Sequence, residues 1–277
     1  MAVRPRAGPQ ERVPAQPSRL SLSSPVPQLF DRALVRRNRA RAAGGFARHD
    51  FLFRHAALAL ADRLKDVTRD FSFGVEIGDR SGLVREALQA ESRPLAVAGI
   101  VADEESLPLA PSSLDLIVSC LALHWVNDLP GCLAQIRRAL KPGGLFLASL
   151  LGGASLGTLR QAFLEAECEV TGGASPRIAP MADIRDLGGL MQRAGFDQPV
   201  VDSEVLTVSY ETPLALLADL KGMGEGNALT LRSRKFLRRD VLFRMAVLYR
   251  ERFSDPTGRV EAKFEILTVT GWGAEGG

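Results

Sequence analysis

Between residues 73 and 151 one pattern repeats, and it narrows the possible fold more than any other feature. Short, continuous apolar runs at residues 73–77, 95–101, 114–119 and 145–151 alternate with helical stretches at 83–88 and 129–140. Strand runs without polar alternation are buried on both faces, so they belong to a parallel sheet covered by helices. The second helical stretch is stopped by Lys141-Pro142-Gly143-Gly144, where proline and glycine cannot continue a helix.

The flanks differ. Leu29, Phe30, Ala33 and Leu34 have helical spacing, Gly44-Gly45 interrupts it, and a second helix follows through Phe51, Leu52, Ala56 and Leu64. Beyond 155 the spacing predicts helices at 156–170, 184–194, 213–223 and 239–252. Residues 200–210 and 260–270 alternate and should form an antiparallel pair. The expected organisation is a disordered basic arm at 1–28, N-terminal helices at 29–66 and an α/β domain at 67–277. A helical insertion falls at about 211–255.

A chain of 277 residues with 46% apolar content can bury a substantial core. No stretch approaches the ~20 apolar residues of a membrane span. Residues 1–54 hold eleven arginines and three acids, net +8, whereas the remainder is net −5. The basic character therefore comes from the N-terminal part. No aromatic residue interleaves with Arg4, Arg6, Arg12 and Arg19, so a nucleic-acid partner is not expected. Cys120, Cys132 and Cys168 form no CxxC pair and fit a reducing compartment. His49, His55 and His124 stand in no H-x-D/E arrangement, so no metal site is expected. The preference for Arg over Lys is that of a GC-rich genome and favours a bacterial cytoplasm. An Arg-rich, acid-poor leader is also that of an organellar protein, which makes the mitochondrial matrix the alternative.

Three places carry chemistry. Val75-Glu76-Ile77-Gly78-Asp79-Arg80-Ser81-Gly82 is a glycine turn between strand and helix, where backbone N–H groups approach a ligand and Glu76 can pair with an ammonium group. Taken alone, it is equally a tight turn. Asp103 and Glu104 follow the next strand. Asp103 can accept from an adenine amine or can cap a helix. After the strand at 114–119, with Ser119 near its end, come His124 and Trp125. These are a potential base and pocket wall, or residues of an ordinary core.

In order, the motifs are a glycine turn, Ala102-Asp103-Glu104-Glu105, Leu114-Asp115-Leu116-Ile117, Leu123-His124-Trp125-Val126-Asn127-Asp128 and Leu140-Lys141-Pro142-Gly143-Gly144. The chain resembles class I S-adenosylmethionine (SAM)-dependent methyltransferases. It is similar to the malonyl-carrier-protein methyltransferases of biotin synthesis and above all to the complex I assembly factor 5 family. Leu29-Phe30-Asp31-Arg32, Ser175-Pro176-Arg177-Ile178 and Asp219-Leu220-Lys221-Gly222-Met223-Gly224-Glu225 also carry that narrower resemblance.

The resemblance implies a Rossmann-like methyltransferase sheet with helical N- and C-terminal additions. It also implies SAM as cofactor, held by Glu76, Gly78, Arg80, Gly82, Asp103, Glu104 and Ser119, with His124 and Trp125 as catalytic residues. A protein substrate, such as an iron–sulfur subunit of complex I, is the implied partner. Two alternatives follow from the same resemblance, a protein-arginine hydroxylase and an assembly chaperone with a degenerate cofactor site. The Arg-rich helix at 32–41 and the Gly222–Gly226 segment would then be contact candidates, if they are not simply a solvated helix and an ordinary loop.

Two departures bear on the cofactor. The family's glycine loop reads G-x-G-x-G, but its middle position here is Arg80. Only 25 positions separate Gly78 from Asp103, room for one helix and one strand. The usual second strand, which ends in the acid that holds the ribose hydroxyls, is expected to be missing. Weakened SAM affinity should follow.

Overall fold

The computed structural model describes residues 26–90 and 95–274. The basic arm expected at 1–28 lies almost entirely outside them. Helix α1 (Arg32–Ala42) starts where Asp31 accepts from the Leu34 amide at 3.0 Å and ends with Arg39 and Arg41 on its negative dipole end. Gly44-Gly45 falls in a 3-10 turn (Ala43–Arg48), and α2 (Phe51–Lys65) follows. Then come β1 (Phe73–Ile77), α3 (Leu83–Ala90), β2 (Ala96–Ile100), β3 (Leu114–Cys120), α4 (Leu129–Ala139) and β4 (Leu140–Leu151). The chain closes with α5 (Gly157–Thr171), α6 (Ile184–Arg193), β5 (Phe196–Tyr210), α7 (Pro213–Gly222), α8 (Arg239–Phe253) and β6 (Val260–Gly273).

The six strands run in the order β2-β1-β3-β4-β6-β5. β2, β1, β3 and β4 are parallel neighbours, while β6 and β5 add the expected antiparallel pair. β1 pairs directly with β2, Phe73 facing Ala96 and Ile77 facing Ile100. Between Gly78 and Asp103 the described residues hold only α3 and β2, so the shortened segment closes as a single β–α–β crossover.

Side-chain alternation divides the core. Leu116, Val118, Leu145 and Leu147 face one layer with Leu52, Leu60, Val84, Leu159 and Tyr249. Ile117, Phe146 and Ala148 face the other with Leu133, Ile136, Leu187 and Met191. Helices therefore cover both faces, as the apolar strand runs require. A third cluster caps the sheet: Phe30, Leu34 and Val35 pack with Trp125, Ala179, Ala228 and Leu229.

Three strand boundaries differ from the sequence expectation by three residues or more: β5 begins four residues early at Phe196, β6 runs three residues further to Gly273, and the third is the start of β4. β4 begins at Leu140, five residues early, because Leu140 pairs with Leu114 before the ladder shifts to Leu116 opposite Leu145. The Pro142-Gly143-Gly144 segment is a bulge within the strand. Gly143 takes φ +66°, and a side chain at Gly144 would meet the Leu114 and Lys141 carbonyl oxygens at 3.0 Å.

Candidate functional site

The glycine turn leaves β1 at the C-terminal edge of the sheet, where parallel sheets bind ligands. Gly78 takes φ +78° and packs so tightly on Ala122, beyond β3, that an added Cβ would lie 2.4 Å from the Ala122 Cβ. Asp79 folds back over the turn. Its Oδ1 accepts from the amides of Ser81 (3.0 Å) and Gly82 (2.7 Å), an Asx turn just ahead of α3. Gly99 on β2 accommodates it, since a Cβ there would sit 2.0 Å from Asp79 Oδ2. The anion cradle at the start of α3 thus already holds a carboxylate of the chain itself.

Arg80, at the middle glycine position, turns inward. Its Nη1 donates to the Met223 carbonyl at 2.6 Å, its Nη2 to Glu225 Oε1 at 2.8 Å, and its guanidinium lies 4.6 Å from the centre of the Phe53 ring. Burial pulls the Arg80 pKa down, and the neighbouring Glu225 carboxylate opposes that. Glu225 also accepts from Trp125 Nε1 at 2.6 Å and bonds His124 Nε2 at 2.9 Å. Burial would favour its neutral form, but Arg80 and His124 outweigh it and hold Glu225 ionised, well below the usual carboxylate range.

Above this lies a second ionic cluster. Arg32 Nη2 reaches Asp103 Oδ1 at 3.0 Å and also contacts Glu104, while Arg32 Nη1 donates to the Trp125 carbonyl at 2.9 Å. Arg39 donates to Glu104 Oε1 at 2.6 Å and to the Ala122 carbonyl at 3.1 Å, and Arg36 reaches Asp103 at 3.2 Å. The arginine face of α1 is therefore neither a free contact surface nor a solvated one at Arg32 and Arg39, because it clamps the acids that follow β2. Burial raises the Glu104 carboxyl, yet Arg39 and Arg32 bring it below its ordinary value.

Two cavities flank the Arg80–Glu225 bridge. The first, about 450 Å³, is lined by Gly78, Asp79, Arg80, Asp103, Glu104 and Arg39, among others. The second, about 230 Å³, is lined by Trp125, Phe163, Met181, Leu220, Glu225 and Leu237, among others. Of the residues expected to hold cofactor, Gly78, Arg80, Asp103 and Glu104 line the first cavity. Ser119 does not, as its buried hydroxyl donates to the Ile77 carbonyl at 3.0 Å. Gly82 does not line it either, and its amide donates to Asp79. Glu76 is buried with Oε2 unpartnered, and burial, reinforced by Asp79, pushes its carboxyl up to about 8. Of the pair expected to be catalytic, Trp125 lines the second cavity, whereas the His124 side chain has 0% exposure. Glu225, Arg32 and Arg39 were not singled out as site residues from sequence. Their signals were that Arg32 and Arg39 lie in the arginine helix, and Glu225 in the Gly222–Gly226 segment, both read as contact candidates, and that Arg32 and Glu225 stand in blocks that carry the family resemblance. Among the described residues, no group of three or more His, Cys, Asp or Glu side chains is placed to hold a metal ion.

Residues 64–148 match the methyltransferase domain family. Arginine-hydroxylase NDUFAF5, mitochondrial, of Mus musculus is 37% identical over 265 residues, covering 88% of this chain and 77% of its own. Malonyl-acyl-carrier-protein O-methyltransferase of Halorhodospira halophila is 32% identical over 273 residues, covering 90% of each chain. Among solved structures, Haemonchus contortus phosphoethanolamine N-methyltransferase 2 superposes with a TM-score of 0.53 at 17% identity, covering 90% of this chain and 61% of that one, a likeness of fold alone.

Proposed function

Since the chain belongs to the arginine-hydroxylase NDUFAF5 family of methyltransferase-type proteins, we propose that it modifies a cationic side chain of a respiratory complex I subunit and uses SAM as its cofactor. The observation that carries this reading is the position of Glu225. It lies on the wall of the second cavity and is bridged through Arg80 to the first.

The first cavity suits SAM in place and size. It sits at the strand C-termini, and about 450 Å³ accommodates a nucleoside with an amino-acid tail. Glu76, with its unpartnered buried oxygen, lies behind the cavity wall and would meet the methionine ammonium only if the wall opened to it. Asp103 fits the adenine amine once Arg36, its exposed partner, moves aside. Two usual anchors are missing. Asp79 occupies the amide cradle, and no acid ends β2, whose last residues are Gly99 and Ile100. Affinity should therefore be low for this fold, since each charge-assisted hydrogen bond is worth about 1.5–3 kcal/mol. When bound, SAM supplies an electrophilic methyl group or a sulfonium beside the acceptor.

The chain's own residues supply placement. Glu225 lines the second cavity with its carboxylate already paired to Arg80, so a guanidinium or ammonium group bound there would share that carboxylate with Arg80. His124 and Trp125 orient that carboxylate through two hydrogen bonds. His124 thus positions Glu225, and Trp125 forms the acceptor wall. Apolar walls at Phe163, Met181 and Leu220 exclude water from the side chain's stem.

One observation favours a second reading, an assembly chaperone. The site's ionic groups largely satisfy one another, with Asp79 in its own cradle, Arg80 on Glu225 and Arg32 on Asp103. Calorimetric titration of the folded full chain with SAM and S-adenosylhomocysteine separates the two readings. The enzyme reading expects saturable binding that Asp103→Ala weakens. No heat at millimolar ligand would overturn it and leave the chaperone.

A further inference from the structure

The most conspicuous unassigned surface is the segment leading into α8. Phe236 is 100% exposed, Leu231 80% and Phe243 73%. Single exposed apolar residues are ordinary, but three large ones within thirteen positions are not. The same stretch, residues 231–244, carries six cations and one acid, net +5, while the rest of 55–277 is net −10. The positive charge of the globular part is thus concentrated where its largest apolar side chains protrude.

Half of those cations are engaged: Arg232 with Asp31, Arg238 with Asp240, and Arg244 with Glu169. Arg234, Lys235 and Arg239 are exposed and have no ion-pair partner among the described residues. On α8, Val241, Met245, Leu248 and Tyr249 face the core. Arg239, Phe243 and Arg250 fall on one outward stripe by the helical repeat. Cations alternating with protruding phenylalanine and leucine are the composition of a surface that enters the headgroup boundary of an anionic bilayer.

We propose that the 231–244 segment is a membrane-docking surface that binds anionic phospholipid. Phe236 and Phe243 enter the acyl boundary, and Arg234, Lys235 and Arg239 meet the headgroups. No described helix is long and apolar enough to cross a membrane, so attachment here is to the surface. An RNA partner is the less favoured chemistry, since Leu231 protrudes as far as the phenylalanines and offers no ring face on which a base can stack. Leu237, next to Phe236, lines the second cavity, so docking sets that cavity's mouth beside the membrane.

The test is flotation of the full chain with vesicles of phosphatidylcholine alone or mixed with phosphatidylglycerol. Binding is expected to the mixed vesicles only. Each lost cation should weaken it about fivefold, so R234A/K235A/R239A should lose about a hundredfold. F236A/F243A should lose tenfold or more while melting as the wild type does and keeping its SAM titration, which separates this proposal from the cofactor reading. F236W should show blue-shifted emission on the mixed vesicles, quenched by brominated acyl chains. Equal binding of wild type and F236A/F243A would place the attachment elsewhere, in the basic N-terminal part, and overturn the proposal. So would an unshifted F236W spectrum, or binding to RNA with none to vesicles.

Discussion

Glu76 makes the folded protein's stability depend on pH in a direction opposite to that of most carboxylates. Its side chain is buried at the end of β1, one oxygen has no hydrogen-bond partner, and Asp79 adds repulsion that Arg85 only partly offsets. The folded carboxyl therefore holds its proton to about pH 8, against an ordinary value of 4.5. Between those values the unfolded chain has released the proton and the folded chain has not. Stability is fully present below 4.5, falls as pH rises, and levels off above about 8. At 1.36 kcal/mol per pH unit, that interval caps the loss at about 5 kcal/mol. Glu76→Gln keeps the shape and removes the titration. Urea unfolding of both proteins from pH 5 to 9 reads the difference, in which groups common to both cancel. Cys120, the nearby thiol, is pushed up to about 12 by burial and does not titrate in this range. The variant should gain on the wild type steadily up to about pH 8 and then run parallel to it. A difference that stays flat across the range would refute the buried, unpartnered state of Glu76. If Glu76 also receives the SAM ammonium, cofactor binding ionises it. Wild-type affinity should then rise with pH toward 8, and that of the variant should not.

Further outcomes follow from the ionic clusters. Glu225→Gln leaves Arg80 without its counter-charge and should cost about 3–5 kcal/mol, whereas Arg80→Met combined with Glu225→Gln should cost less than the two single changes added. Additive losses in a urea double-mutant cycle would show that the bridge is not a unit. Glu104 is held below its ordinary value by Arg39 and Arg32, so its contribution is present above 4.5 and lost as pH falls through the lowered value. The protection factors of the α1 amides should accordingly fall at acid pH, and Glu104→Gln should bring that loosening to neutral pH. Asp79→Ala removes two hydrogen bonds to the turn, each worth about 1 kcal/mol, while tightening SAM, because the Ser81 and Gly82 amides become free. Weaker SAM binding in that variant would show that Asp79 supports the ligand rather than displacing it.

The sheet was legible because burial on two faces leaves a mark on every strand: Leu116, Ile117 and Val118 are apolar in succession because alternate residues enter opposite layers. The direct β1–β2 pairing was legible from spacing, since the 24 residues between Gly78 and Asp103 leave no room for a further helix and strand. The bulge in β4 was not, because a Pro-Gly-Gly sequence reads the same whether it ends a strand or kinks one. The charges around the site were legible only in part. Arg80 stood out as foreign to a glycine loop, but its partner Glu225 lies 145 residues away, and Arg39 is 65 residues from Glu104. Ion pairs of that separation leave no periodicity. What physical chemistry does dictate is that an arginine taking a glycine's place beside a buried turn cannot remain uncompensated in the interior. The chain meets that demand with a carboxylate that two further donors, His124 Nε2 and Trp125 Nε1, hold in one orientation. The substitution that looked like damage to the cofactor loop is therefore half of a charge pair. Its other half lies on the wall of the second cavity, so any side chain bound there meets a field set from the cofactor side.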